Sequence, residues 1–340
     1  MKYHFCTSFD NRKFLLRGLV LYRSLIEQGV DFYLWVLCME QESYDFLEKL
    51  NLTHLGLVHV KEFETKQLLK VKKERTLREY SITCKSFFIS YMLETRNEID
   101  LITWLDADLY FFDSPDIIYR EFGNKSIGIT EHNYFSNRKK LEDFSGKYNA
   151  GFIIFRRDTD GLACLSRWKR QCLEWCYGYH ENRKFGEQMY LNEWPHAFTS
   201  TYVFSNRGAN AAYWNYERYR FFQKDGRVWL IERETRYQFP LVFYHFSGIT
   251  LYEVAGDVRY LYNRRYLLPH VVRFVYKPYG NGLSWALWFV RKHSNLHWID
   301  GMKNISVLEF IWKNLLKWLL SHIHAPLDRM RDISKDTSNN

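Results

Sequence analysis

The sequence predicts an α/β protein whose mostly parallel sheet is flanked by helices, and three observations carry that expectation. Short apolar runs alternate with helical patterns along the first 130 residues, the run at 101–105 is apolar enough to be buried on both faces, and the 340-residue chain is 46% hydrophobic, which suffices for a sizeable core. Residues 3–7 read as a first strand, 14–28 as a helix, 32–38 as a second strand and 43–50 as a second helix. A longer helix is expected over 83–95, a fully apolar strand over 101–105 and a further strand over 126–130. Ligands of open α/β sheets bind outside the carboxyl ends of the strands, so residues 7–10 and 106–108 are expected on one rim.

Beyond about residue 255 the character changes to segments rich in Arg, Tyr and Trp, with helical patterns at 284–292 and 306–324. The expected organisation is a sheet domain over 1–255, a basic, aromatic-rich, α-helical extension over 256–328 and a polar tail over 329–340. The formal net charge of +9 suits an anionic partner but does not choose among nucleic acid, a phospholipid surface and a phosphate-bearing small molecule. No helix-turn-helix or RNA-binding signature is present, which argues against nucleic acid. The six cysteines show no paired CxxC spacing, which argues against a zinc site or a disulfide framework. The first residues lack an apolar stretch long enough for a signal peptide, and no run of about twenty apolar residues could span a bilayer. The expectation is a cytoplasmic protein.

The chemistry concentrates at Asp106-Ala107-Asp108, where an apolar strand stops. On extended backbone residues i and i+2 point to one side, so Asp106 and Asp108 can face one hard divalent cation and the phosphate oxygens it bridges. Solvated aspartates at a strand-to-loop junction are the plain alternative for so short a motif. Four further motifs add context in order: Thr7-Ser8-Phe9-Asp10, Asn149-Ala150-Gly151-Phe152, Gly186-Glu187-Gln188 running on to Asn192, and His245-Phe246-Ser247-Gly248. With these five, residues 1–250 resemble the GT-A-fold, family 8-like glycosyltransferases, retaining enzymes that use a nucleotide sugar and manganese.

The resemblance implies that Asp106, Asp108 and His245 hold Mn2+ (or Mg2+), and that Thr7, Ser8, Phe9 and Asp10 contact a nucleotide, by expectation uridine. It implies that Lys85, Asp106, Ala107, Asn149, Ala150, Gly151 and Gly248 line the remainder of a nucleotide-sugar site. Glu187 and Gln188 are its candidate catalytic pair. Read locally, His245 could instead be a strand-end histidine, Asn149-Ala150-Gly151 a turn or bulge, and Glu187 a favourable residue of a helix N-terminus. Two departures stand out: Glu187 replaces an aspartate, and Gly248-Ile249-Thr250 replaces the Lys-Pro-Trp with which similar enzymes clamp the diphosphate. Charge compensation is then expected from Lys85 or from arginines of the extension. Tyr213 and Trp214 offer flat faces for a sugar, or pack in the core.

The resemblance further implies a glycan or lipid-linked glycan as acceptor and a place in bacterial envelope polysaccharide or lipopolysaccharide assembly. Residues 308–320 interleave Trp, Leu and Lys on a helical pattern, which fits an amphipathic helix lying on an anionic membrane at the inner face of the cytoplasmic membrane, or one docked on the chain's own core. A non-catalytic nucleotide-sugar or glycan-binding protein with a degenerate site is the alternative to an enzyme.

Overall fold

The computed structural model describes residues 2–9, 12–262, 267–293 and 302–323. Asp10 and the tail at 329–340 lie outside the described residues.

A seven-stranded mixed sheet organises the chain. Its strands are β1 (Tyr3–Phe9), β2 (Phe32–Cys38), β3 (Leu55–His59), β4 (Leu101–Leu105), β6 (Ile127–Glu131), β7 (Tyr148–Arg156) and β8 (Thr201–Val203), in the order β3-β2-β1-β4-β7-β6-β8. β1, β2, β3 and β4 pair in parallel, whereas β7 runs antiparallel to both its neighbours, β4 and β6. This is the α/β class, with a largely parallel sheet, that the alternating pattern predicts. The reversed β7 has a consequence for the site: it brings the start of that strand to the rim where β1, β4 and β6 end.

Strand side chains alternate between two cores, as a pleated sheet covered on both faces requires. Leu101 and Leu105 of β4 face the helices α1 (Arg12–Glu27), α2 (Gln41–Leu50) and α5 (Asp116–Phe122), while Ile102 and Trp104 face α3 (Lys66–Glu74), α4 (Leu77–Thr95) and the helix Thr159–Glu174. α4 starts six residues before the expected 83, because Thr76 and Glu79 form a reciprocal capping box that satisfies the first free N–H groups. All six cysteines are buried and unpaired in disulfides.

Three smaller sheets escaped the sequence reading, one of them because its strands are only two or three residues long. β5 (Leu109–Phe111), β13 (Phe243–His245) and β9 (Ala211–Ala212) form one, with β13 in the centre and His245 in register with Leu109 and Ala212. β10 (Tyr219–Lys224), β11 (Arg227–Glu232) and β12 (Gln238–Pro240) form an antiparallel ribbon. β14 (Ile249–Val254) pairs with β15 (Asp257–Tyr262) and with β16 (Lys303–Asn304). The change of composition near residue 255 coincides with the turn of the β14–β15 hairpin, where Ala255 and Gly256 both have positive φ. The helix Lys277–His293 packs back on α1, with Gly282 close against Val20. The last helix, Val307–Ile323, leaves Leu308 72% and Trp312 67% exposed.

Candidate active site

β4 delivers Asp106 and Asp108 to the rim, but not on extended backbone. A turn closed by the Leu109 N–H on the Asp106 carbonyl (3.0 Å) joins β4 to β5 and folds the two carboxylates toward each other. The difference from the i, i+2 expectation arises because β5 must turn away at once to pair with β13. That pairing places His245 beside them: its Nε2 lies 3.0 Å from Asp108 Oδ1 and 3.8 Å from Asp106 Oδ2. The ligating atoms of Asp106, Asp108 and His245 all lie within 4.8 Å of one another. Two carboxylates and an imidazole are a donor set suited to manganese, magnesium or another divalent cation with a taste for oxygen and nitrogen.

Two cations flank the acids from opposite sides. Lys85, buried on α4, donates from Nζ to Asp106 Oδ1 (3.0 Å), to Glu187 Oε1 (2.7 Å) and to the Ala150 carbonyl (3.1 Å), and sits 4.9 Å over the Trp104 ring. Burial disfavours its charge, but Asp106 and Glu187 outweigh that and push its pKa up. Arg17 of α1 donates to Asp108 Oδ2 (3.4 Å) and to the Ile249 carbonyl (2.9 Å). Burial would raise the Asp108 carboxyl, yet His245 and Arg17 hold it down at about 2. The His245 imidazole moves the other way: burial opposes its charge, and Asp108 and Asp106 raise its pKa.

The expected residues thus divide into two groups. Lys85, Asp106, Asp108, Ala150, Glu187 and His245 form one contact network, joined by Asn149, whose Oδ1 lies 3.2 Å from His245 Nδ1. Gly151 belongs with them for a steric reason: a Cβ there would stand 2.6 Å from His245 Cε1. Asn149, Ala150 and Gly151 lie within β7, beside a register shift opposite Ile129 and Thr130. Thr7, Ser8 and Phe9 end β1 with side chains turned into the protein. The Phe9 ring fills the space over Gly18, and Ser8 Oγ approaches the Leu37 carbonyl at 3.4 Å. Ala107 is buried, and Gly248, at φ 77°, faces the Tyr213 ring. Gln188 donates to the Ser145 carbonyl (2.7 Å), and it and Glu187 precede the short turn Met189–Glu193 rather than opening a regular helix. Trp214 is buried edge-on to His245, with ring centres 5.2 Å apart.

Sequence reasoning missed Arg17 and His132. Arg17 is a lone cation inside the apolar run 14–22, a pattern that signals a buried charge needing a partner. His132 lies just past the carboxyl end of β6, on the same rim, and position alone could have flagged it.

No protein-family model matches the chain. It is 32% identical over 279 residues to YfnD of Bacillus subtilis (strain 168), which covers 82% of this chain and 87% of YfnD. It belongs to the YfnD family. YfnF of the same organism is 33% identical over 256 residues, covering 74% of this chain and 82% of its own. Both relatives are described as uncharacterized, so membership of the YfnD family names no activity. Among solved structures, galactosyltransferase LgtC in complex with donor and acceptor sugar analogues is similar at 13% identity and a TM-score of 0.44, over 73% of this chain and 87% of that one. Mouse xyloside xylosyltransferase 1 is similar at 15% identity and a TM-score of 0.46, over 72% and 97%. Likenesses of this degree decide neither activity nor substrate.

Proposed function

We propose that the chain is a metal-dependent glycosyltransferase of the GT-A type that moves a sugar from a nucleoside-diphosphate sugar to a glycan or lipid-linked glycan. The observation that carries this reading is the convergence of Asp106, Asp108 and His245 at the carboxyl end of β4, with a buried Lys85–Glu187 pair beside it. Asp106, Asp108 and His245 would hold the cation, which when bound supplies Lewis-acid neutralisation of a leaving diphosphate. The protein's own part is positioning and charge. Lys85 and Arg17 place two positive groups against the acids, and Arg17, hydrogen-bonded to the Ile249 carbonyl, stands where the sequence lacks the expected lysine clamp. Glu187 is held by Lys85 rather than solvated, which fits a carboxylate that orients a sugar hydroxyl or faces the reacting carbon. Thr7, Ser8, Phe9 and Asp10, with Gly248, complete the proposed nucleotide side, and Gln188 the sugar side. Retention at the anomeric carbon, a uridine base and a role in envelope polysaccharide assembly belong to this reading as its finer parts.

The exposed apolar face of the helix Val307–Ile323, in a chain of net charge +9, supports attachment to an anionic membrane surface. No described helix is long and apolar enough to cross a membrane.

Release of nucleoside diphosphate from a panel of nucleotide sugars, with Mn2+, with chelator and with Asp108→Ala, tests the activity. Turnover of one sugar that both chelator and the substitution abolish supports the enzyme and names its donor. Binding of a nucleotide sugar by calorimetry without turnover in any acceptor mixture supports the binding-protein alternative, and no binding of any donor overturns both.

A further inference from the structure

We propose that His132 and Asn149 form a positioning relay that fixes the tautomer and ring plane of His245, presenting its Nε2 to a divalent cation shared with Asp106 and Asp108. The inference rests on the cation-site reading above and assigns roles to two residues that contact neither carboxylate.

The direction of every hydrogen bond in the relay follows from the backbone. The Gly151 N–H points at one terminal atom of the Asn149 amide from 2.9 Å, and only an oxygen can accept it. That fixes Oδ1, so Nδ2 faces His132 Nε2 at 3.1 Å and donates to it. An accepting Nε2 puts the His132 proton on Nδ1, which faces the Lys147 carbonyl at 3.3 Å, an acceptor and nothing else. At the other end, Asn149 Oδ1 faces His245 Nδ1 at 3.2 Å and must receive its proton. With Nδ1–H so committed, Nε2 is the nitrogen left to face Asp106 and Asp108; it shares a proton with them in the metal-free chain, and a bound cation would take that proton's place. No atom of the relay can reverse without breaking a backbone contact.

Packing removes the remaining freedom. All three side chains are buried. Tyr134 stacks on the His132 ring at 4.7 Å, and Trp214 stands edge-on to both imidazoles, at 5.1 and 5.2 Å. Gly151 leaves the space that the His245 ring occupies. Asn149 therefore engages both ends of its amide inside the protein, between the two histidines.

Two measurements on the full chain test the relay. Mn2+ affinity, read by the free-ion electron paramagnetic resonance signal, should fall several-fold in His132→Phe, less than the roughly 10- to 100-fold cost of losing a direct partner of a metal ligand, because His132 acts through Asn149. It should be largely restored in His132→Gln, whose side-chain carbonyl accepts from Asn149. Long-range proton–nitrogen spectra of the metal-free wild type, labelled at histidine, should show His132 with Nδ1 protonated and Nε2 bare, an assignment that does not depend on any variant folding. Unchanged Mn2+ affinity in folded His132→Phe, or an Nε2–H tautomer at His132, overturns the relay. A wild-type chain that binds no Mn2+ overturns the cation site itself, a distinct result because the wild type alone reports it.

Discussion

Lys85 pairs with both Glu187 and Asp106, so Lys85→Met asks what the site's own charges cost the fold. Methionine keeps an unbranched apolar stem over Trp104 and deletes only the ammonium. Of the two acids released, Asp106 has a side chain 30% exposed and retains the Trp104 Nε1–H at 2.7 Å, so water and the indole offset part of its loss. Glu187 has a side chain only 11% exposed and loses its ion-pair partner at 2.7 Å. Breaking one side of a buried pair typically costs about 3–5 kcal/mol, and most of that should fall on Glu187. Urea denaturation should therefore show a midpoint lowered by that free energy divided by the slope, with the slope itself unchanged. Adding Glu187→Gln to Lys85→Met should recover about 1–3 kcal/mol, because a neutral amide in the same place no longer demands a counter-charge. A loss below about 1 kcal/mol in the single variant, or no recovery in the double, would refute the view that Lys85 neutralises a buried carboxylate.

Two other perturbations act on the neighbouring rings. Gly151→Ala places a methyl group 2.6 Å from His245 Cε1 and 2.7 Å from Asn149 Oδ1; the crowding should cost about 1–3 kcal/mol of stability in thermal melts and lower Mn2+ affinity by roughly tenfold or more. His132, driven down to about 3 by burial, with its hydrogen bond to the Lys147 carbonyl only partly opposing, is neutral in the fold and titrates near 6.5 when unfolded. Between those values the unfolded chain binds the extra proton, so stability contributed by the neutral ring is full above about pH 6.5 and declines as pH falls, by up to about 1.4 kcal/mol per unit. Denaturation midpoints of wild type and His132→Gln should diverge through that window and run parallel above it.

What was legible in the sequence follows the strength of each local signal. β2 and β4 were read to the residue because each is a short apolar run with clear ends. Three of the five motifs, those at Thr7, Asp106 and His245, were legible for the same reason: polar residues cluster where apolar strands stop. β5, β9 and β13, two or three residues each, were not, since no periodicity survives at that length, and yet their pairing is what aligns His245 with the aspartates. Asn149 and Gly151 were legible as candidates near the acids but not in what they touch, because the sequence does not say that β7 is reversed. Arg17 went unread for a different reason. A helical arginine is ordinarily a solvated one, and the carbonyl it meets, that of Ile249 in β14, lies far along the chain.

The register of β13 against β5 and β9 has a consequence for how the protein comes into being. As the chain leaves the ribosome, β1 to β7 can assemble with Asp106, Asp108 and Lys85 already in place, but the imidazole that completes their set arrives about 140 residues later, since it follows Asp108 by that much sequence. Until residue 245 emerges and β13 slots between its two short partners, the nascent rim carries acids without their histidine. The event that completes this small sheet is also the one that brings the third side chain to the acids, so on the proposed cation-site reading a partly made chain lacks one of its three ligands.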